Sequence, residues 1–409
     1  MQPKDVISGL DIGSHRISCA VGSVDAVGQL SILGVTEVRS EGVRNGIIVD
    51  KELASSAIST VMKKAEEQFG VKPKRLFVNV TGEHIRGLNS RGAISISMLE
   101  SEITEEEVEK VTDLAKAIRI PEDQERLHVI PQQYAVDDRF GIKDPIGKSG
   151  DRLEIEVHIV TASMSVAADI LECVKEAGRD VSELVFSPIG ASEVLLTPDE
   201  RRNGTVLIDI GAGTVDVAVF FEDALWHTSS IPLGSRNVTS DIAYGLRLPV
   251  VAAEELKICQ GCAMISGVDP KEKLILPDLG EFYQRRISRT VLAAIIEPRM
   301  EEILCMVRKQ LLNSPVFDKL DGCIVLTGGG SCLQHLDKLA ERVFDMTARL
   351  GKPHVYDEEI TFASPYGVAV AVGLVKYGYI RTSAESEPPT FFKRVGRKFE
   401  QVVNAILNI

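Results

Sequence analysis

Two hydrophobic periodicities alternate along this chain. Short apolar runs of strand length, two of them closing on an aspartate and a glycine turn, are separated by longer stretches with helical spacing, the order of an α/β protein. Val6 to Leu10 leads to Asp11 and a turn at Gly13 and Ser14, after which Ile17 to Val21 is again extended. Val206 to Ile208 leads in the same way to Asp209, the turn Gly211-Ala212-Gly213-Thr214 and a second strand, Val215 to Phe220. The two aspartates lie 198 positions apart, which makes the pattern an internal repeat on the scale of a domain. A third strand, Cys323 to Leu326, runs into Gly328, Gly329 and Gly330, with a helix expected from Cys332.

Between the repeats, strand-like "GAISISM" and "LEIEVHIV" flank an acidic helix opened by "TEEEVEKV". There Thr104 and Glu107 have the spacing of a capping box. Near the end, polar "SAESEPP" reads as a flexible linker. From Thr390 onward Phe392, Val395, Phe399, Val402, Val403 and Ile406 fall on one helical stripe, with Phe391 and Leu407 at its ends. Lys393, Arg394, Arg397 and Lys398 lie off that stripe.

Composition narrows the class. A chain of 409 residues with 44% hydrophobic content builds more than one core. The net charge of −13 argues against binding nucleic acid by whole-surface attraction, and no nucleic-acid partner is expected. Seven scattered cysteines without framework spacing, and no secretory leader, lead to the expectation of a reducing cytoplasm. No apolar run reaches the roughly 18 residues of a membrane span. Against this acidic background the last 20 residues carry four bases and one acid. That suits a helix lying in the plane of an anionic membrane surface better than one docked on its own core.

The repeated turns have a chemical use. Glycines let backbone N–H groups surround phosphate oxygens, and small hydroxyl residues add donors. A carboxylate at each strand end can hold hydrated Mg2+ that bridges the phosphates. Facing turns from two similar domains would clamp a nucleotide polyphosphate, with the third glycine turn against base or ribose. Two other motifs are set aside. "GIKDPIGKS" has five residues between Gly141 and Gly147 where a phosphate-binding P-loop has four, and a strand follows where a helix is needed. "CQGC", Cys259 to Cys262, is a lone pair without zinc-ligand companions and is expected to be two buried thiols.

In combination, these turns resemble those of the actin, Hsp70 and sugar-kinase superfamily. "LHVIPQQYAVDDRFGIKDPIGKSGDRLEIEVHIVTA", "SSIPLGSRNVTSDIAYGL", "AEELKICQGCA" and "IIEPRMEEILCMV" are similar to the bacterial cell-division FtsA family, over about residues 5 to 380. The resemblance implies an actin-like α/β fold of two halves with a small SHS2-type inserted subdomain. Residues 1–81 with 161–198 would form the first core subdomain, 82–160 the insert, and 199–233 with 301–382 the second core subdomain. Residues 234–300 would form its companion, 383–389 a linker and 390–409 the amphipathic helix.

The resemblance also implies a site for ATP and Mg2+. Asp11, Gly13, Ser14 and Arg16 would form the first phosphate loop, Arg16 standing where relatives commonly carry lysine. Asp209, Gly211, Gly213, Thr214 and Asp216 would form the second. Glu254 and Lys257 would bracket ribose and base beside Gly328, Gly329 and Gly330, and Asp11 and Asp209 would hold the metal through water. Where vigorous relatives orient a water with Glu or Gln, this chain has Ser187, with Glu193 further along. Tight binding with slow or negligible turnover is expected, and no catalytic residue is assigned.

The implied partners are the acidic-apolar C-terminal tail of FtsZ, at Arg285, Arg286, Arg289 and Arg299, further copies of the chain in filaments, an anionic membrane, and later divisome proteins. The expected location is the cytoplasmic side of the inner membrane at the septum. A small-molecule kinase of the same fold needs a cleft carboxylate base that is not evident. A pilus-assembly relative leaves the tail without a role.

Overall fold

The computed structural model describes residues 5–96, 102–276, 285–354 and 365–386. The repeat seen in the sequence is a repeat of whole sheets. One five-stranded sheet has the spatial order Glu183–Phe186, Arg75–Val80, Asp5–Ile12, Arg16–Val24, Leu30–Arg39. Its last three strands form an antiparallel meander, and the first two run parallel to Asp5–Ile12. The second sheet places Ala348–Leu350, Cys323–Thr327, Thr205–Ile210, Val215–Phe221 and Ala224–Ile231, in that order, in the equivalent positions and senses. Each central strand is buried almost throughout.

The helices follow local signals. Lys51–Phe69 starts where the Asp50 carboxylate accepts the Leu53 N–H at 3.1 Å and ends at Gly70, whose φ of 65° is left-handed. On one face of the first sheet lie Ser187–Leu195 and, from the far end of the described chain, Ala369–Ser386. The contact is backbone to backbone. A Cβ on Gly9 would stand 2.2 Å from the Ala371 carbonyl, and one on Gly373 2.2 Å from that of Gly190. This overturns part of the expected division, which gave residues 301–382 to the second half. Ala371, Val372 and Leu374 belong to the core that holds Leu10, Ile17 and Phe186. That helix also continues to Ser386, into the stretch expected to be linker. The boundary expected after residue 300 falls inside one continuous helix, Arg289–Leu311. The expected membrane helix lies outside the described residues.

The insert is an antiparallel sheet of Arg86–Ser95, Arg152–Ser163, Gln124–Val136 and Arg139–Ile142, covered on one face by Glu105–Lys116. Glu107 accepts the Thr104 N–H at 2.8 Å and closes the expected capping box. Val108, Val111, Leu153 and Val157 give this unit its own core. The rejected P-loop segment starts within the strand Arg139–Ile142 and continues into its connection to Arg152–Ser163. The insert leaves the first half yet touches the second. Gln132 Nε2 donates to the Leu225 carbonyl at 2.9 Å, Asn89 Nδ2 to that of Trp226 at 3.3 Å, and His158 Nε2 lies 2.9 Å from Thr228 Oγ1.

The helix Val250–Gln260 ends before "CQGC" does. Cys262 is buried and bridges to Gln334, whereas Cys259 is exposed on the helix, so only one of the two thiols is buried as expected. The helix expected from Cys332 begins at Leu336, after a 3-10 turn over Gly329–Cys332.

Candidate functional site

Both hairpin turns point into one cleft between the halves, with a volume of about 320 Å³. In each turn a glycine N–H donates across to a carbonyl three residues on: Gly13 to Arg16 at 3.1 Å, and Gly211 to Thr214 at 2.9 Å. Asp11 and Asp209 occupy the same place one position before the end of their strands. All the residues expected at the nucleotide site line this cleft: Asp11, Gly13, Ser14, Arg16, Asp209, Gly211, Gly213, Thr214, Asp216, Glu254, Lys257, Gly328, Gly329 and Gly330.

The base of the cleft is acidic. Burial pushes the Asp11 carboxyl up to about 7, with Arg16 opposing and Glu37 and Asp216 adding to the rise. Burial, then Asp216 and Asp11, lift Asp209 well above the carboxylate range. Burial raises Asp216 to about 6 against hydroxyl hydrogen bonds that lower it. Thr81 and Thr214 hydroxyls donate to Asp216 Oδ2, while its Oδ1 is buried without a hydrogen-bond partner among the described residues. Three mutually repelling carboxyls, two buried and Asp11 half-buried, one of them with an orphaned oxygen, are a donor set suited to a hydrated divalent cation. Among the described residues no group of three or more His, Cys, Asp or Glu side chains is placed to ligate a metal directly.

Cations stand around this acidic base. Arg16 Nε pairs with Glu37 at 3.3 Å, and its Nη2 lies 3.9 Å from where a Cβ on Gly329 would sit. Lys257 Nζ and Glu254 Oε2 are 2.8 Å apart, and the lysine is only 7% exposed, so this is a cleft pair and not a surface one. Burial lowers the Lys257 pKa against the pull of Glu254. Burial alone would raise Glu254, yet Lys257 and Thr239 hold it below its ordinary value. Gly328 has φ 83° and donates its N–H to the Tyr366 carbonyl at 3.0 Å. A side chain there would strike Asp209, since a Cβ would lie 2.3 Å from Oδ1.

Sequence reasoning missed several members. Asn79, Thr81, His15, Ser235, Arg236 and Tyr366 also line the cleft. Asn79 joins the first half together: its Nδ2 donates to Asp11 Oδ1 at 2.8 Å and to Ser187 Oγ at 3.2 Å. A polar side chain inside the apolar strand "RLFVNV" was the available signal. Ser187 does reach the cleft, whereas Glu193 is not among its lining residues and pairs with Arg201 at 3.2 Å. The partner arginines lie on another surface. Arg289 contacts Glu272 at 3.0 Å, Arg299 contacts Asp241 at 2.6 Å, and Arg285 donates to the Leu246 carbonyl at 2.8 Å. Arg286 is exposed, and no carboxylate pairs with it among the described residues.

Two similar sheets closing on a cleft lined by paired hairpin turns define the actin-like class of fold. Solved structures share it. The PilM-PilN type IV pilus biogenesis complex matches with TM-score 0.62 at 16% identity, covering 93% of this chain and 99% of that one. MreB5 of Spiroplasma citri bound to ADP matches with TM-score 0.54 at 15% identity, covering 94% and 99%. Family models narrow the class: "Cell division protein FtsA" matches residues 206–373 and "SHS2 domain inserted in FTSA" residues 82–161. The cell division protein FtsA of Pseudomonas aeruginosa is 36% identical over 383 residues, 94% of this chain and 91% of its own length. The chain belongs to the FtsA family of cell-division proteins.

Proposed function

We propose that this division protein binds ATP with Mg2+ in the interdomain cleft and uses it as a structural ligand that favours assembly, turning it over slowly. The carrying observation is the pair of matching turns, each following an aspartate one position before the end of its strand, that line one cleft. Asp11, Asp209 and Asp216 would hold the cation through water, and the cation would supply the charge that lets polyphosphate approach three carboxylates. The glycine turns offer N–H donors to phosphate oxygens, and the Glu254–Lys257 pair offers hydrogen bonds to the nucleoside. An MreB5 that shares the fold has been solved with ADP, which supports a nucleotide in this position. Ser187 stands beside Asp11 through Asn79 but is a weak base, which supports slow hydrolysis.

In this reading the stripe from Phe392 to Ile406 enters the acyl boundary of the cytoplasmic leaflet, and polymerisation multiplies weak anchors into firm attachment. No described helix is long and apolar enough to cross a membrane. The FtsZ tail docks beside Arg286, and the assembly tethers FtsZ to the membrane at the septum, where later division proteins gather. Equilibrium binding of ATP with Mg2+ or EDTA tests the cleft: Asp11→Asn with Asp209→Asn should abolish metal-dependent binding. Sedimentation with anionic vesicles, for the full chain and for one lacking residues 390–409, tests the anchor. Equal sedimentation of the two would remove the membrane role and leave the nucleotide role standing.

A further inference from the structure

Arg236 is tied to both hairpin turns at once. Its backbone N–H donates to the Ala212 carbonyl in the second turn at 2.9 Å. Its Nη2 donates to the Ser14 carbonyl in the first turn at 2.5 Å. The backbone end is fixed: Ser235 N–H donates to the Gly211 carbonyl at 2.9 Å, and a Cβ on Gly234 would stand 2.6 Å from the Ala212 carbonyl. The guanidinium end is the movable one. It has five N–H donors, and the contact it makes is with an uncharged oxygen, in a cleft with several carboxylates. No carboxylate pairs with it among the described residues. Burial is the main cause that lowers the pKa of His15 and Lys257, and the Arg236 charge adds to the lowering of both. Arg236 thus stands among the cations that line the cleft, with donor capacity left over, beside both turns.

We infer that Arg236 reads the terminal phosphate of a nucleoside triphosphate, an inference that rests on the nucleotide reading above. A terminal phosphate between the turns offers charged oxygens, and charge-assisted bonds to guanidinium are roughly twice as strong as the bond to a neutral carbonyl. The guanidinium then leaves Ser14 for the phosphate, and the ligand replaces the side chain as the tie between the two halves. A diphosphate is shorter by one group and leaves Arg236 on Ser14. The residue makes the cleft respond to the number of phosphates.

The test is titration of wild type, Arg236→Ala and Arg236→Lys with ATP, ADP and AMP in Mg2+ at one salt concentration. Wild type should favour ATP over ADP. Arg236→Ala should lose about tenfold or more in ATP affinity while ADP changes by less than about threefold, so the preference collapses. Arg236→Lys should be intermediate, since a point charge replaces a planar fork. Melting curves without nucleotide check the fold of each variant. If the alanine variant does not fold, the ATP/ADP ratio of the lysine variant decides. An unchanged ratio, equal losses for all three nucleotides, or a wild type indifferent to phosphate number would overturn the assignment while leaving nucleotide binding intact. A wild type that binds no nucleotide would overturn both.

Discussion

Asn79 holds Asp11 by an amide whose orientation is fixed from the other side. Its Nδ2 donates to Asp11 Oδ1 at 2.8 Å, while its Oδ1 accepts the Ile12 N–H at 2.6 Å. The neighbouring parallel strand thereby sets the rotamer of the carboxylate that the first turn presents to the cleft. Asn79→Ala should lower Mg2+-ATP affinity by about tenfold, the scale of one lost hydrogen bond to a charged group. Asn79→Asp should do worse, because it sets a fourth carboxylate beside three. Isothermal titration of the two variants checks the order; equal affinity in the aspartate variant would mean that Asp11 is positioned by other contacts.

Acidity should control the same site. Asp11 and Asp216 titrate at about 7 and 6 in the fold against an ordinary 3.8. The folded chain binds these protons more tightly than the unfolded one, so their contribution to stability is present below about 4 and is lost as pH rises through 6 to 7. The buried histidines act in the opposite sense. Burial holds His158 at about 3 and His128 and His227 at about 4, so their contribution is present above 6.5 and lost as pH falls toward 4. Cation-dependent nucleotide binding requires the aspartates charged. Affinity for Mg2+-ATP should fall by about tenfold or more between pH 8 and 6, with proton release on binding near pH 6.5. Calorimetry in two buffers of different ionisation enthalpy measures that release, and Asp11→Asn should reduce it.

What the chain reveals about itself follows from the range of the interactions. The turns at Asp11 and Asp209 were legible because everything that makes them, an apolar strand, an acid and small residues, is contiguous. The capping box at Thr104 was legible for the same reason. The placement of Ala369–Ser386 on the first sheet was not, because it depends on Gly9 meeting Ala371 and on Gly190 meeting Gly373, each across more than 180 residues. Asn79 stood out as a polar residue in an apolar strand, but its role and that of Thr81 could not be read, because their partners, Asp11 and Asp216, come from other strands and, for Thr81, from the other half of the molecule.

The insert should resist any side chain at Gly87. A Cβ there would stand 2.3 Å from Thr228 Oγ1 and 2.8 Å from the Thr228 carbonyl, where the insert meets the second half. Gly87→Ala should cost about 1–3 kcal/mol by forcing the edges apart. Thr228→Ala removes the nearer clash but also the hydroxyl beside His158, so the double variant should recover part of the loss and not all of it. Melting of the two single variants and the double variant measures the coupling; strict additivity would show that the two residues do not meet.

The arginines expected at the FtsZ-tail surface do not have equal freedom. Arg299 Nε lies 2.6 Å from Asp241 Oδ2, and its Nη1 lies 2.5 Å from Glu302 Oε2. Arg289 is bound to Glu272 at 3.0 Å and donates to the Gln260 carbonyl at 3.0 Å. Reversing either charge converts attraction into repulsion within the fold, so Arg299→Glu should lower stability by roughly 1–2 kcal/mol before any partner is considered. Arg286 is exposed on the short strand Arg286–Ser288, where no described carboxylate holds it. Arg286→Glu should leave the melting temperature within about a degree and weaken binding of an acidic-apolar peptide by fivefold or more, with an effect that shrinks as salt rises. Fluorescence anisotropy with a labelled FtsZ C-terminal peptide, at low and high salt, separates the two cases. Unchanged affinity in a fully folded Arg286→Glu variant would move the docking surface away from this strand.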